Sequence, residues 1–151
     1  MKKVCLLMSM LLMMFSAVVQ AQIADKKTYL ADMVAEMYKK WPDNRTLNIV
    51  FHGHSVPTGY FSGQEVHTFE SYPHYMHYSL KEMFPYAVIN CIRTSIGGET
   101  ARKGAQRFAS DVLPHKPDLL FIDYSLNDRA LSLEEARSYW ASMIESALEN
   151  N

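Results

Sequence analysis

The amino-acid sequence predicts one α/β domain built around a parallel sheet. Three short apolar segments typical of buried strands alternate with four segments whose apolar residues recur at helical spacing. Helices of this length between strands favour right-handed βαβ connections, in which a parallel sheet lies between helices on both faces. With 151 residues, 48% of them hydrophobic and 21% charged, the chain is long enough for one core and too short for two ordinary domains.

The start of the chain has the pattern of a secretory signal peptide. A basic beginning precedes a 16-residue apolar run, Val4 to Val19, and Ala21 completes a small-x-small cleavage site. The run is short for a membrane span, which needs about 20 residues. We therefore expect a signal peptide over 1–21, a mature domain over 22–151, no membrane anchor after cleavage, and a secreted or periplasmic location.

Charge and cysteine content exclude further classes of protein. Without the leader the chain has 13 basic and 16 acidic residues, a balance that gives no positive surface for nucleic acid. Cys91 is then the one remaining cysteine in the sequence, so an intramolecular disulfide is excluded even in an oxidising compartment.

The first predicted helix and strand follow the leader. The helix is indicated by an i, i+3, i+4, i+7, i+8 pattern formed by Leu30, Met33, Val34, Met37 and Tyr38. Asp25 is a candidate N-cap, and Pro42 lies just beyond the end. A short apolar strand over 47–51 follows and runs directly into the polar loop 52–55.

The second helix and strand come next. The helix is predicted over 71–83, with Ser71 as its cap and Pro85 after its end. A buried strand is predicted over 87–92. A tight turn over 96–100 then opens a third helix, whose inner face is predicted to consist of Ala101, Ala105, Phe108 and Val112.

The last strand and helix complete the pattern. The strand is predicted over 118–124, and it is followed by a polar loop over 125–128. A capping box formed by Ser132 and Glu135 starts the fourth helix. The apolar residues predicted to be buried on this helix are Leu133, Ala136, Trp140, Met143, Ile144 and Ala147.

Polar and glycine residues follow all three predicted strands. The carboxyl ends of parallel strands share one edge of a sheet, where ligands bind in such folds. Ser55, just past the first strand, is placed for nucleophilic attack if a base takes its proton. Gly98 offers a backbone N–H at a helix start and Asn127 a side-chain amide, both suited to an oxyanion. Each is also a common turn residue, so the prediction depends on their coincidence.

Three blocks of sequence resemble a known family in order and spacing. Gly53-His54-Ser55, with Gly59, resembles the first block of the SGNH (GDSL-like) hydrolases. Residues 95–100 are similar to the second block, and Asn127-Asp128 is similar to the third. Specificity comes from the three blocks together. The chain thereby resembles the N-terminal portion of this family, blocks I to III.

The resemblance implies a fold and a chemistry. It implies a flavodoxin-like three-layer sandwich that hydrolyses small acyl esters, such as acetyl groups on a carbohydrate, without a cofactor or metal. It implies Ser55 as the nucleophile. It also implies an oxyanion hole made by the Ser55 N–H, the Gly98 N–H and the Asn127 amide.

The sequence departs from the family pattern in three ways. The family takes its general base from a late D-x-x-H block, and no D-x-x-H occurs in the chain. We therefore expect a domain truncated after its third strand and the following helix, with the base unknown. His54 replaces the usual Asp, and Ser125 replaces the usual Gly. Because loss of the histidine costs a serine triad about 10⁶ in turnover, little activity is expected from this polypeptide alone.

Other histidines are candidates for the general base that the missing D-x-x-H block would supply. On an extended chain the His54 side chain is expected to point away from Ser55. His67 or His74 would reach Ser55 only if their segment folds over the site. A rival interpretation is a zinc site made by His52 and His54 with His74 or His77.

Two further expectations concern partners. A non-catalytic carbohydrate-binding module is an alternative function, because aromatic rings that stack on sugars are concentrated in one stretch: Tyr60, Phe61, Phe69, Tyr72, Tyr75 and Tyr78. The third strand, 119–124, is expected to form an apolar sheet edge in a truncated domain. Such an edge favours self-association.

Overall fold

The computed structural model describes residues 24–150. The predicted signal peptide therefore lies outside the described residues. The chain divides into two compact units, Met1–Ala31 and Asp32–Asn151. In the described part of the first unit, the Asp25 carboxylate accepts a hydrogen bond from the Lys27 N–H at 2.8 Å. Asp25 thus closes a local turn instead of capping the first helix, which begins only at Ala31.

The four long helices and three strands that the sequence predicts are present, and two single-turn helices are added at the strand ends. In chain order the elements are α1 (Ala31–Tyr38), β1 (Thr46–Gly53), α2 (Ser55–Thr58), α3 (Tyr72–Met83), β2 (Val88–Arg93), α4 (Ala101–Asp111), β3 (Leu119–Asp123), α5 (Ser125–Asp128) and α6 (Leu133–Glu149). Short 3₁₀ turns occupy Ser62–Gln64, Thr68–Glu70 and Leu113–His115.

The three strands form a parallel sheet in the order β2-β1-β3. On β1, Ile49 lies between Cys91 of β2 and Leu119 of β3. This order and the helices on both faces confirm the predicted flavodoxin-like α/β fold. All three strands run in one direction, so their carboxyl ends lie along the same edge of the sheet.

The central strand β1 divides the core into two layers. Leu47, Ile49 and Phe51 face α1 and α3, and form one cluster with side chains such as Met37. Val50 faces the opposite layer, where it packs with buried side chains of α4, α6 and Tyr124. The alternation follows from the two-residue period of a strand.

Helix α6 starts as predicted but buries fewer residues than expected. Ser132 and Glu135 form the capping box, with both reciprocal hydrogen bonds present. Met143 is buried, whereas Leu133 is 86% exposed and Ile144 46% exposed. The face of α6 that packs against the core contains Trp140, Met143 and Ala147. Leu133 and Ile144 lie at the border of this apolar face and therefore point away from α4.

Ser71 lies at the N-cap position of α3 but does not cap it. Its hydroxyl donates to the Thr68 carbonyl oxygen at 2.7 Å instead. The helix boundary was therefore predicted correctly, while the expected side-chain cap was not formed.

The outer edge of β3 has no strand partner within residues 24–150, since β3 pairs only with β1. All five of its residues are half-buried.

Across the same described range, every helix falls short of the length and hydrophobicity needed to cross a membrane.

His52 is a fully buried polar side chain on β1. Its Nδ1 lies 2.8 Å from the Thr94 hydroxyl, and its Nε2 lies 3.1 Å from the Gly104 carbonyl oxygen. A carbonyl only accepts, so Nε2 carries the proton and Nδ1 accepts from Thr94. Burial, followed by the nearby charge of Arg107, lowers the pKa of His52 from 6.5 to about 4.

We predict that the free energy of unfolding falls as the pH is lowered from 6.5 to about 4. In this window the unfolded chain binds a proton at His52 that the folded chain does not, so acid favours unfolding by about 3 kcal/mol. Urea denaturation at pH 7 and pH 4 measures the difference. A His52→Asn variant should lose most of this slope, and the exposed His115→Asn variant should keep it. Equal slopes for the wild type and His52→Asn would contradict the prediction.

Candidate active site

Ser55 lies at the first position of α2, directly after the end of β1. Gly53 permits this placement, because a Cβ atom there would lie 2.5 Å from the Asp123 carbonyl oxygen. The His54 N–H donates to that same carbonyl at 3.1 Å. The turn that carries Ser55, the predicted nucleophile, is thus held against the end of β3.

The loop after β2 lies beside the Ser55 turn. The Ile96 N–H donates to the Gly53 carbonyl oxygen at 3.0 Å. The Thr58 hydroxyl donates to the His54 carbonyl oxygen at 2.9 Å, so it accepts from the Ser95 hydroxyl, whose oxygen lies 3.0 Å away. Gly98 has φ +79°, a left-handed conformation that side chains rarely adopt, so glycine suits the turn that leads into α4.

The loop after β3 is tied to the loop after β2. The Asn127 side-chain amide donates to the Glu99 carbonyl oxygen at 2.8 Å. The Asp128 carboxylate accepts from the Ala101 N–H at 2.8 Å and from the Trp140 indole N–H at 2.7 Å. An amide nitrogen carries two N–H groups, so Asn127 keeps a second donor after it binds Glu99.

All three sequence-predicted blocks therefore meet at one rim: the first loop is hydrogen-bonded to the end of β3 and to the second loop, and the second loop to the third. Ser55, Gly98 and Asn127 belong to these three loops. A serine hydroxyl, a glycine N–H at a helix start and a side-chain amide are the groups that acyl transfer requires. The arrangement is suited to nucleophilic attack on an ester.

A buried ion pair anchors the glycine loop. Glu99 is 9% exposed, and its carboxylate accepts from the Arg107 guanidinium at 2.8 Å. Arg107 also donates to Asp111 at 2.9 Å. The pKa of Arg107 is raised by its hydrogen bonds to these two carboxylates, although its burial opposes the shift most strongly. Residues 99 and 107 are eight positions apart, so no short motif pointed to this pair.

His54 contacts Ser55, contrary to the expectation that it points away. Its Nδ1 accepts from the Val56 N–H at 3.1 Å and lies 3.4 Å from Ser55 Oγ. The expectation was wrong because β1 ends at Gly53 and His54 is the N-cap of α2. Alternation along a strand does not apply to a cap residue, whose side chain folds back over the first turn.

The opposite ring nitrogen of His54 faces a carboxylate. Nε2 lies 3.4 Å from Asp123 Oδ1, within ion-pair range. Among the described residues, however, it has no partner with hydrogen-bond geometry although it is buried. Such a group costs about 1–3 kcal/mol if nothing satisfies it. The Tyr72 hydroxyl donates to the other carboxylate oxygen of Asp123 at 3.3 Å.

His67 and His74 are engaged elsewhere. His67 Nε2 lies 2.9 Å from Glu65 and Nδ1 lies 3.0 Å from Glu70. Hydrogen bonds to Glu65 first, and then to Glu70, raise the pKa of His67. His74 lines a cavity of about 80 Å³ together with His77, Cys91 and Arg93.

The histidines weighed for a zinc site are dispersed. Both nitrogens of His52 are hydrogen-bonded on the α4 side of the sheet, whereas His74 and His77 lie at the cavity beside β2. Within residues 24–150, His, Cys, Asp and Glu side chains form no group of three arranged to hold a metal ion.

A second, larger cavity of about 640 Å³ lies between α5 and the first turns of α6. Ser125, Asp128 and Trp140 contribute to its lining, together with Arg129, Leu131, Leu133, Ala136 and Arg137. Ser55, Gly98 and Asn127 are not part of that lining. The larger cavity is therefore not the candidate site formed by these three residues.

Solved esterase structures resemble this fold. A two-domain esterase (CEX) active on acetylated mannans, co-crystallised with mannopentaose, is 27% identical with a TM-score of 0.68, covering 82% of this chain and 32% of that chain. AlinE4, an SGNH-hydrolase family esterase, is 30% identical with a TM-score of 0.57. The match covers 70% of this chain and 55% of that chain. TesA is 23% identical with a TM-score of 0.57, and the match covers 70% of this chain and 56% of that chain. At this identity it supports the fold alone.

The chain spans between about a third and a little over half of these structures' lengths. No protein-family model and no curated protein matches it. The structural matches nevertheless agree with the three ordered blocks at the strand ends. By fold and by these blocks, the chain is similar to the SGNH (GDSL-like) hydrolases over the part of the fold that it spans.

Proposed function

We propose that this chain is part of an exported serine esterase that hydrolyses small acyl esters, such as O-acetyl groups on a carbohydrate. The observation that carries the proposal is the chain of hydrogen bonds that joins the first strand-end loop to the second and the second to the third, with Ser55 at the start of α2 and Asn127 bound to Glu99. This arrangement gathers a nucleophile and oxyanion donors at one rim.

In this mechanism the Ser55 hydroxyl oxygen attacks the ester carbonyl carbon. The negative charge that develops on the carbonyl oxygen is stabilised by the N–H groups of Ser55 and Gly98 and by the free N–H of the Asn127 amide. Collapse of the tetrahedral intermediate releases the alcohol and leaves the acyl group on Ser55. Water then releases the acid.

The proposed substrate class draws on the relatives and on the surface near Ser55. One solved relative is active on acetylated mannans. In this chain the Tyr60 N–H donates to the Ser55 carbonyl oxygen, and the Tyr60 ring lies against Gly97, where a Cβ atom would be 2.7 Å from it. Tyr60 and Phe61 are both exposed, so aromatic surface suited to a sugar ring adjoins the nucleophile turn.

A non-catalytic carbohydrate-binding module remains the second candidate. The observation that favours it is the exposure of aromatic rings over one stretch, namely Tyr60, Phe61, Phe69, Tyr75 and Tyr78. Glycan binding by the Ser55→Ala variant, without turnover by the wild type, would favour this candidate over hydrolysis.

Export is part of the proposal and has its own test. The basic start and apolar run of the leader predict cleavage after Ala21. Expression with an intact secretion pathway should yield a mature chain that begins at Gln22. N-terminal sequencing of the purified protein checks this, and a chain that retains Met1 would contradict it.

We predict that a fluorophosphonate labels Ser55 in the purified chain and that Ser55→Ala abolishes the label. Asn127→Ala should slow labelling by about 10²–10³, because it removes one oxyanion donor. Ser125→Ala, which changes an exposed serine of the same rim, is the matched control and should label normally. Turnover of acetyl esters should stay far below that of a complete serine triad, since the chain has no D-x-x-H.

Two results would contradict this prediction. One is a wild-type chain that reacts no faster than its Ser55→Ala variant. The other is turnover of acetylated mannan at the level of an ordinary esterase by the chain alone. Mass spectrometry of the labelled peptide identifies the modified serine in each case.

We also propose that the chain self-associates through the outer edge of β3. That edge carries unpaired backbone groups within residues 24–150, and its side chains Leu119 to Ile122 are apolar and only half-buried. Parallel pairing with a second copy would satisfy those groups. Sedimentation velocity over a dilution series should show a concentration-dependent shift from dimer or larger species to monomer. A monodisperse monomer at all concentrations would overturn the proposal.

A further inference from the structure

His54 lies between the nucleophile and a carboxylate. Its Nδ1 is 3.4 Å from Ser55 Oγ, and its Nε2 is 3.4 Å from Asp123 Oδ1. The ring is 1% exposed, while Ser55 is half-buried. The order carboxylate, imidazole, hydroxyl is the order of a serine triad, and all three residues lie within one rim of this chain.

The orientation of the ring follows from its neighbours. Nδ1 accepts from the Val56 N–H, so Nδ1 carries a lone pair and the proton of the neutral ring is on Nε2. That proton is directed to the side where Asp123 lies. The basic nitrogen is thereby the one that faces Ser55.

The other histidines near the site do not have this arrangement. Both nitrogens of His67 are hydrogen-bonded to Glu65 and Glu70, and both nitrogens of His52 are bonded on the α4 side of the sheet. His54 is the histidine that the structure places in contact with Ser55 Oγ.

We propose that His54 is the general base for Ser55 in this chain, taking the hydroxyl proton on Nδ1 while Nε2 faces Asp123. This inference rests on the proposed function. It differs from the family pattern, in which the base comes from a later histidine, and it assigns proton transfer to a residue adjacent to the nucleophile.

The steps balance with water as the only co-reactant. As the bond from Ser55 Oγ to the carbonyl carbon forms, Nδ1 takes the hydroxyl proton and the carbonyl π pair moves to oxygen. The pair returns as the carbon–oxygen bond to the alcohol breaks, and the alcohol leaves with the proton from Nδ1. Water repeats both steps on the acyl-enzyme, which frees the acid and restores the Ser55 hydroxyl.

The unsatisfied nitrogen of His54 agrees with this role. In the resting state the Nε2 contact with Asp123 is long and lacks hydrogen-bond geometry. When Nδ1 takes a proton the ring becomes an imidazolium, and the contact with the carboxylate becomes charge-assisted. The interaction therefore strengthens as the reaction proceeds, which is the condition for catalysis. Catalytic hydrogen bonds are commonly long before substrate binds.

The role of His54 as a cap must be separated from its role as a base. His54→Asn keeps a side-chain acceptor for the Val56 N–H, and Asn is a favoured N-cap, but its amide takes up no proton. We expect the full-length His54→Asn chain to melt close to the wild type and to be labelled at Ser55 by the fluorophosphonate about 100-fold more slowly. His54→Ser, a second capping variant, should be labelled equally slowly, although its smaller side chain leaves a cavity at this buried position and lowers the melting temperature.

If His54→Asn and His54→Ser label within about threefold of the wild type, His54 is only a cap and the proposal is overturned. A measurement on the wild type needs no substitution: ¹⁵N chemical shifts of the His54 ring should show the proton on Nε2 and a bare Nδ1. A proton on Nδ1 would leave no lone pair for Ser55 and would also overturn it. Failure of the wild type to label would instead refute the proposed nucleophile, so the two failures are distinguishable.

Discussion

The close approach of the β1 and β3 ends at Gly53 is the constraint on which the candidate site depends. A side chain at position 53 would place its Cβ 2.5 Å from the Asp123 carbonyl oxygen, so the strands could not converge in their present register. Their convergence lets the His54 N–H bind that carbonyl and lets the Gly53 carbonyl accept from Ile96. All three loops are positioned from this one contact. The parallel sheet brings the strand ends to one edge, and Gly53 lets them come together there.

Buried charge then holds the rim to the helices beneath it. Glu99 is paired with Arg107 on α4, and Asp128 binds both the start of α4 and Trp140 on α6. A buried carboxylate is tolerated when its oxygens are paired, and these two are. Because Asn127 and Gly98 adjoin Asp128 and Glu99 in sequence, these anchors hold the two loops that carry the proposed oxyanion donors.

The sequence was sufficient for the features that depend on local pattern. Strand and helix periods predicted the element order, the capping box at Ser132 and the three strand-end loops. Ser55, Gly98 and Asn127 were predicted as site residues because each follows a predicted strand in a polar loop, and the structure has each of them in such a loop. Glu99 with Arg107 and Asp128 with Trp140 were missed, since these partners are eight and twelve positions apart and meet only after α4 and α6 pack. His54 was misplaced because strand alternation was extended one residue past Gly53.

The identity of residue 54 is linked to that of residue 123. An aspartate at position 54 would cap α2 equally well, but it would bring a second carboxylate close to Asp123, and like charges at this distance disfavour ionisation of both. An imidazole caps the helix while neutral and presents an N–H to the carboxylate instead. Capping and proton acceptance both use Nδ1, however, so the Val56 N–H must loosen whenever the ring takes the Ser55 proton. The Val56 N–H and the Ser55 hydroxyl therefore compete for the single lone pair on Nδ1.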